Sequence, residues 1–117
     1  MTDEVTIYFN PHCSKCRLTL DLLETRGQQP EIVEYLESPP DAATLESILD
    51  MLELEPRDLM RTFEKEYTQA GLDNPGLGRA ELIDAMIRYP RLIQRPIVVK
   101  NGRAAIGRPP EKVVEIL

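Results

Sequence analysis

The sequence has no tryptophan, and only two phenylalanines and four tyrosines among its 117 residues. Aromatic platforms on which nucleobases stack are therefore scarce. Positive charge is also in deficit, with 14 Lys and Arg against 20 Asp and Glu and a net charge of −6. That balance speaks against a general nucleic-acid binder, while leaving room for a small local basic pocket. No apolar run, proline aside, exceeds three residues, so no stretch is long enough to span a bilayer. The opening Met1-Thr2-Asp3-Glu4 is acidic and offers neither the basic nor the apolar part of a secretory leader. The expected location is cytoplasmic, with no membrane partner. Cysteine is limited to Cys13 and Cys16, and histidine to His12. In a reducing compartment such a pair is not a permanent staple, and tetrahedral zinc wants four ligands that this chain does not supply. No metal site is expected.

What is present suffices for a folded core. Hydrophobic residues make up 42% and charged residues 29%, values of an ordinary globular protein rather than a disordered one. The length predicts one domain over residues 1–117, workable as a monomer.

Val5-Thr6-Ile7-Tyr8-Phe9 reads as a short strand, broken by Asn10-Pro11. A helix then starts near Ser14, with Cys16, Leu20 and Leu23 on one face and Leu18 and Leu22 widening it. Gly27 is placed to stop it in a left-handed conformation. Ile32 to Leu36 is the second expected strand, completing a βαβ unit. Either Ser38 or Asp41 caps the next helix, which carries Leu45, Ile48, Leu49 and Leu52. Further helical pattern runs from Pro56 to about Thr62 or beyond, since Phe63 and Tyr67 continue the same face, and over Leu82, Ile83, Met86 and Ile87, ending at Pro90. Glu64-Lys65-Glu66 reads as a solvated face, and Tyr8 and Tyr35 as core. Asn101-Gly102 between Ile97–Lys100 and Arg103–Ile106 is a strong hairpin signal. Pro109-Pro110 opens a last helix with Val113, Ile116 and Leu117 inside. The expected class is α/β: a thioredoxin-like β-α-β and β-β-α core, with a helical insertion over about residues 41–90. The CxxC at the end of the first strand selects that arrangement among α/β folds.

Cys13 stands at the start of the first helix, where unpaired N–H groups and the helix dipole favour a thiolate and an oxyanion together. Cys16, three residues on, is either a resolving thiol or a small hydrophobe on the apolar face. His12 either tunes the thiolate when protonated or is an exposed loop residue. Arg95, just before Pro96, is expected to point at Cys13, and Pro96 is a candidate for a cis peptide. Arg108 follows the hairpin, and Arg61 lies in the insertion. Three guanidinium groups converging on one thiolate would hold a tetrahedral oxyanion.

Several segments together resemble the glutaredoxin-coupled arsenate reductase family, from end to end. They are Ile7-Tyr8 with Asn10-Pro11, Cys13 and Arg17; Tyr35-Leu36-Glu37 with Pro39-Pro40; Leu59-Met60-Arg61; Pro90 with Leu92-Ile93; Arg95-Pro96-Ile97-Val98-Val99; and Gly107-Arg108-Pro109-Pro110-Glu111. The similarity is closest to the short housekeeping branch. It implies Cys13 as the nucleophile toward arsenate, with Arg61, Arg95 and Arg108 binding substrate and intermediate. Asn10, Ser14, Arg17 and Pro96 complete the expected substrate site. It also implies glutathione as co-substrate, glutaredoxin as protein partner, and no bound cofactor. The chain departs from the family at Phe9, where a histidine is usual, and at Cys16, where a small hydroxyl residue is usual. A CxxC here is typical of Spx, a redox-sensing regulator of similar fold that binds RNA polymerase, although the Arg108-Pro109-Pro110 segment matches the reductases. A general thiol–disulfide oxidoreductase using Cys13 and Cys16 is the other alternative.

Overall fold

The computed structural model describes residues 4–117. The chain divides into two compact units: the described part of Met1–Ser38 together with Arg95–Leu117, and Pro39–Gln94.

The first unit is built on a four-stranded mixed sheet. β1 (Val5–Phe9), β2 (Glu31–Glu34), β3 (Ile97–Lys100) and β4 (Arg103–Ile106) lie in the order β2-β1-β3-β4. β1 pairs parallel with β2, with Ile7 opposite Ile32, and antiparallel with β3, with Ile7 opposite Val98. The crossover from β1 to β2 is α1 (Ser14–Thr25). This is the thioredoxin-like arrangement, interrupted by a helical insertion. Alternation puts Val5, Ile7 and Phe9 on one face of β1. There they join Cys13, Cys16 and Leu23 of the α1 side, Val98 of β3, and Val113 and Ile116 of the last turns in one core. Burying each of the larger aliphatic side chains contributes about 1.5–3 kcal/mol.

Local chemistry explains the boundaries. α1 ends in a Schellman motif: Gly27 N–H donates to the Glu24 carbonyl (3.0 Å), Gln28 N–H to that of Leu23 (3.0 Å), and Gly27 sits at φ +79°. Asn101 (φ 51°) and Gly102 (φ 74°) make the tight hairpin turn that their sequence announces. β2 stops at Glu34, two residues short of the expected end, because Glu37 and Ser38 N–H both turn back to the Glu34 carbonyl. Leu18 does not widen the buried face of α1; it is 53% exposed, and Thr19 is fully buried in that stripe instead. Tyr35 is fully buried, whereas Tyr8 is half-buried on the opposite face of β1 from Ile7. The last helix, Pro110–Ile116, is of the 3₁₀ type, its Val113 and Ile116 buried. Both Arg95-Pro96 and Arg108-Pro109 are cis peptides; only the first was expected from the sequence.

The second unit packs α2 (Ala42–Leu52), α3 (Lys65–Gln69) and α4 (Arg79–Arg88). Of the two possible caps for α2, Asp41 is used: its carboxylate accepts the Thr44 N–H at 2.8 Å. Leu45, Ile48 and Leu49 of α2 and Leu82, Ile83 and Met86 of α4 are buried. The pattern from Pro56 yields a single 3₁₀ turn, Pro56–Leu59, rather than a helix to Thr62, because Met60 pairs as an isolated bridge with Ile93. Phe63 is consequently left 73% exposed. Glu64 and Glu66 are not a solvated face. Their side chains are 13% and 17% exposed, and both pair with Arg91. Among the described residues, no helix is long and apolar enough to cross a membrane.

Candidate active site

Cys13 is the N-cap of α1, and its carbonyl accepts the first helical bond from Arg17 N–H at 3.1 Å. Asn10 shapes the turn leading into it. Its carbonyl accepts the Cys13 N–H (3.0 Å) and its side-chain Oδ1 accepts the His12 N–H (2.9 Å). Its own N–H donates to Cys16 Sγ at 3.5 Å. Arg17 donates from a guanidinium nitrogen to the Pro11 carbonyl at 3.1 Å, tying the turn to the helix it precedes. Ser14 and His12 are exposed beside the thiol. Phe9, which the resemblance marks as a departure from the family, is 8% exposed and packs in the core.

The two cysteines differ electrostatically although only three residues apart. Burial works to raise the Cys13 thiol, but the Cys16 backbone N–H and the Arg95 guanidinium outweigh it and bring the pKa down to about 7. For Cys16, burial dominates. With no exposed surface and a thiolate neighbour, its thiol is pushed up to about 12 despite the Asn10 N–H. Cys13 is thus about half ionised at neutral pH, and Cys16 stays protonated.

Two arginines meet at the Cys13 sulfur from the far end of the chain. Arg95 hydrogen-bonds the thiolate and also Tyr35. Arg108 lies with Nη2 3.8 Å from Sγ, while its Nε donates to the Arg95 carbonyl at 2.6 Å. One guanidinium is therefore indexed against the backbone of the other. Pro96 follows Arg95 and is buried, its carbonyl accepting the Gly107 N–H at 3.0 Å. Tyr35 and Gly107 were absent from the expected site. Both lie in segments that carry the family resemblance, Tyr35-Leu36-Glu37 and Gly107-Arg108-Pro109-Pro110-Glu111, which was the sequence signal that pointed to them.

Arg61 belongs to the second unit, where it is 9% exposed. Its Nε donates to Glu64 Oε2 at 3.1 Å and its Nη1 to Gln94 Oε1 at 3.1 Å, while Phe63 covers the guanidinium at 4.6 Å. Among the described residues no group of three or more His, Cys, Asp or Glu side chains is arranged to hold a metal. Chemically, the arrangement in the first unit offers a soft nucleophile at neutral pH beside planar cationic donors suited to a tetrahedral oxyanion.

Comparison with known proteins is consistent with that chemistry. The chain is 52% identical over its full length to the uncharacterised protein YfgD of Escherichia coli (strain K12), covering 99% of that protein. It is 48% identical to an arsenate reductase of Haemophilus influenzae, over 97% of this chain and 98% of the relative. The solved structure of an arsenate reductase from Vibrio cholerae superposes with a TM-score of 0.96 at 46% identity, covering 100% of both chains. The model of the ArsC family matches residues 8–116. With the family model matching residues 8–116 and relatives about half identical along nearly the whole chain, this protein belongs to the ArsC family.

Proposed function

We propose that the protein is an arsenate reductase, an oxidoreductase whose Cys13 thiolate attacks the arsenic of arsenate. The S–As bond forms as one arsenate oxygen departs as water. Glutathione then adds through its thiol and displaces a second oxygen as water. Attack by a glutaredoxin thiolate on the glutathione sulfur breaks that S–As bond and leaves its electron pair on arsenic. Arsenic(V) becomes arsenic(III), the two external thiols become a mixed disulfide, and hydrolysis at Cys13 releases arsenite.

The observation that carries this reading is the convergence of Arg95 and Arg108 on a thiol whose pKa is about 7. A thiolate and an arsenate dianion repel each other, and adjacent guanidinium groups turn that encounter favourable. The family resemblance also assigns Arg61 to the anion, with Asn10, Ser14, Arg17 and Pro96 around it. The two units are proposed to serve as one catalytic domain.

The test is arsenate-dependent NADPH consumption coupled through glutathione and glutaredoxin. Arg95→Ala is expected to lower kcat/KM by about 10²–10³, the effect of removing a preorganised oxyanion donor. Undiminished turnover in that variant rejects the oxyanion role, and Arg61→Ala measured beside it tests the third arginine. The buried, protonated Cys16 favours the external glutathione route over an intramolecular disulfide. Cys16→Ser is accordingly expected to retain arsenate turnover. If the variant stalls as a mixed disulfide, the thiol–disulfide oxidoreductase reading takes over.

A further inference from the structure

Gly107 lies between the end of β4 and Arg108, and it is buried. Its φ is outside the left-handed region, so backbone freedom is not what calls for glycine here. Space is. A Cβ at this position would stand 2.5 Å from Thr19 Oγ1, 2.8 Å from Pro96 Cγ and 3.2 Å from Thr19 Cγ2. Neither neighbour has an easy way to yield. Thr19 has no exposed surface and its hydroxyl donates to the Lys15 carbonyl at 2.7 Å. Pro96 is a closed ring whose carbonyl already holds the Gly107 N–H.

Three pieces of chain therefore touch at a point that no side chain occupies: α1 through Thr19, the approach to β3 through Pro96, and the exit from β4 through Gly107. Each piece carries one member of the site. Cys13 heads α1, Arg95 immediately precedes Pro96, and Arg108 immediately follows Gly107. We propose that Gly107 is a positioning residue, whose missing side chain lets α1, Pro96 and the β4 exit close to the separation that places Arg95 and Arg108 on the Cys13 sulfur. Restoring ordinary contact distances around an added methyl requires an outward shift of about 1 Å. The 3.8 Å approach of Arg108 to Sγ has no slack for that, because its Nε is fixed on the Arg95 carbonyl. The inference rests on the reading of Cys13 as nucleophile, and its test reads the thiol directly, without arsenate.

The experiment is Gly107→Ala, with and without Thr19→Ala, followed by thiolate absorbance and iodoacetamide alkylation of Cys13 against pH. The groups in contact with that sulfur are Arg95, Arg108 and Cys16, and all three remain in these variants. Gly107→Ala is expected to raise the Cys13 midpoint by about one unit as the guanidinium groups retreat. Arsenate KM should rise about tenfold or more in parallel. Thr19→Ala in the same background removes two of the three close atoms and is expected to recover at least half of the midpoint shift. A folded Gly107→Ala protein with an unchanged midpoint overturns the proposal, as does a double variant no better than the single one. Should Gly107→Ala fail to fold, the double variant must restore both folding and the depressed midpoint; a double variant that stays unfolded also overturns it. If the midpoint responds but wild-type protein turns over no arsenate, the positioning role stands and the arsenate reading falls.

Discussion

Cys13 and Cys16 are the same residue type in one helix turn, and their environments drive them apart. The sign for Cys13 follows from its pKa of about 7, below the usual thiol value: its reactive fraction grows as pH rises through 7 and is nearly complete by pH 8. Iodoacetamide labelling is therefore expected to show a single midpoint near pH 7, with Cys16 unlabelled in the folded protein. Mass spectrometry of the labelled peptides checks this, and equal labelling of both cysteines at pH 7.5 contradicts it. Cys13 and the approach of Arg95 and Arg108 to it were legible in the sequence, because helix-start chemistry and family spacing both point to them. Cys16 was not. Its position fits a resolving thiol and a buried one equally, and its complete burial with the Asn10 N–H on its sulfur is visible only in the fold.

The elements of the first unit were readable because each carries its own punctuation: Asn10-Pro11 before α1, Gly27 after it, Asn101-Gly102 between β3 and β4. Leu23 anchors α1 in the core with no exposed surface, so Leu23→Ala is expected to cost about 2–5 kcal/mol in denaturant unfolding. A loss below 1 kcal/mol would show that α1 does not depend on that anchor. Residues 56–66 depart from their sequence pattern because their fate is set by partners distant in sequence: Met60 is drawn into a bridge with Ile93, and Glu64 and Glu66 into ion pairs with Arg91. Burial tends to raise the Glu64 carboxyl, but Arg61 and Arg91 more than offset it and hold it below the ordinary 4.5. Stability from this group is thus present above pH 4.5 and lost as pH falls through its lowered value. Glu64→Gln is expected to flatten the acid side of the stability profile measured by thermal unfolding between pH 3 and 6. An unaltered slope would mean the ion pairs contribute nothing there.

Taken together, the chain is acidic, with a net charge of −6 and a calculated isoelectric point of 4.8, yet its proposed substrate is an anion. The two effects act over different distances. The diffuse negative charge is screened beyond a Debye length of about 8 Å at 0.15 M salt, whereas arginines in contact with the anion are hardly screened. Raising ionic strength from 0.01 to 0.15 M with a non-coordinating salt is therefore expected to leave arsenate KM flat or lower it. A KM that climbs steeply with salt would show that distant surface charge, rather than contact with Arg95 and Arg108, gathers the substrate. Total charge concealed this in the sequence, since two local arginines vanish in a sum over 34 charged groups.

The guanidinium on the Cys13 sulfur comes from a residue 95 positions later in the chain. During synthesis the amino-terminal sulfur leaves the ribosome long before the arginines that ionise it have been translated. Until β3 pairs with β1 and β4 with β3, that sulfur has only the backbone N–H of its own helix start to stabilise a thiolate, without the guanidinium groups. The nascent chain thereby carries a less ionised thiol through most of its elongation, and full nucleophilicity arrives only with the closing hairpin.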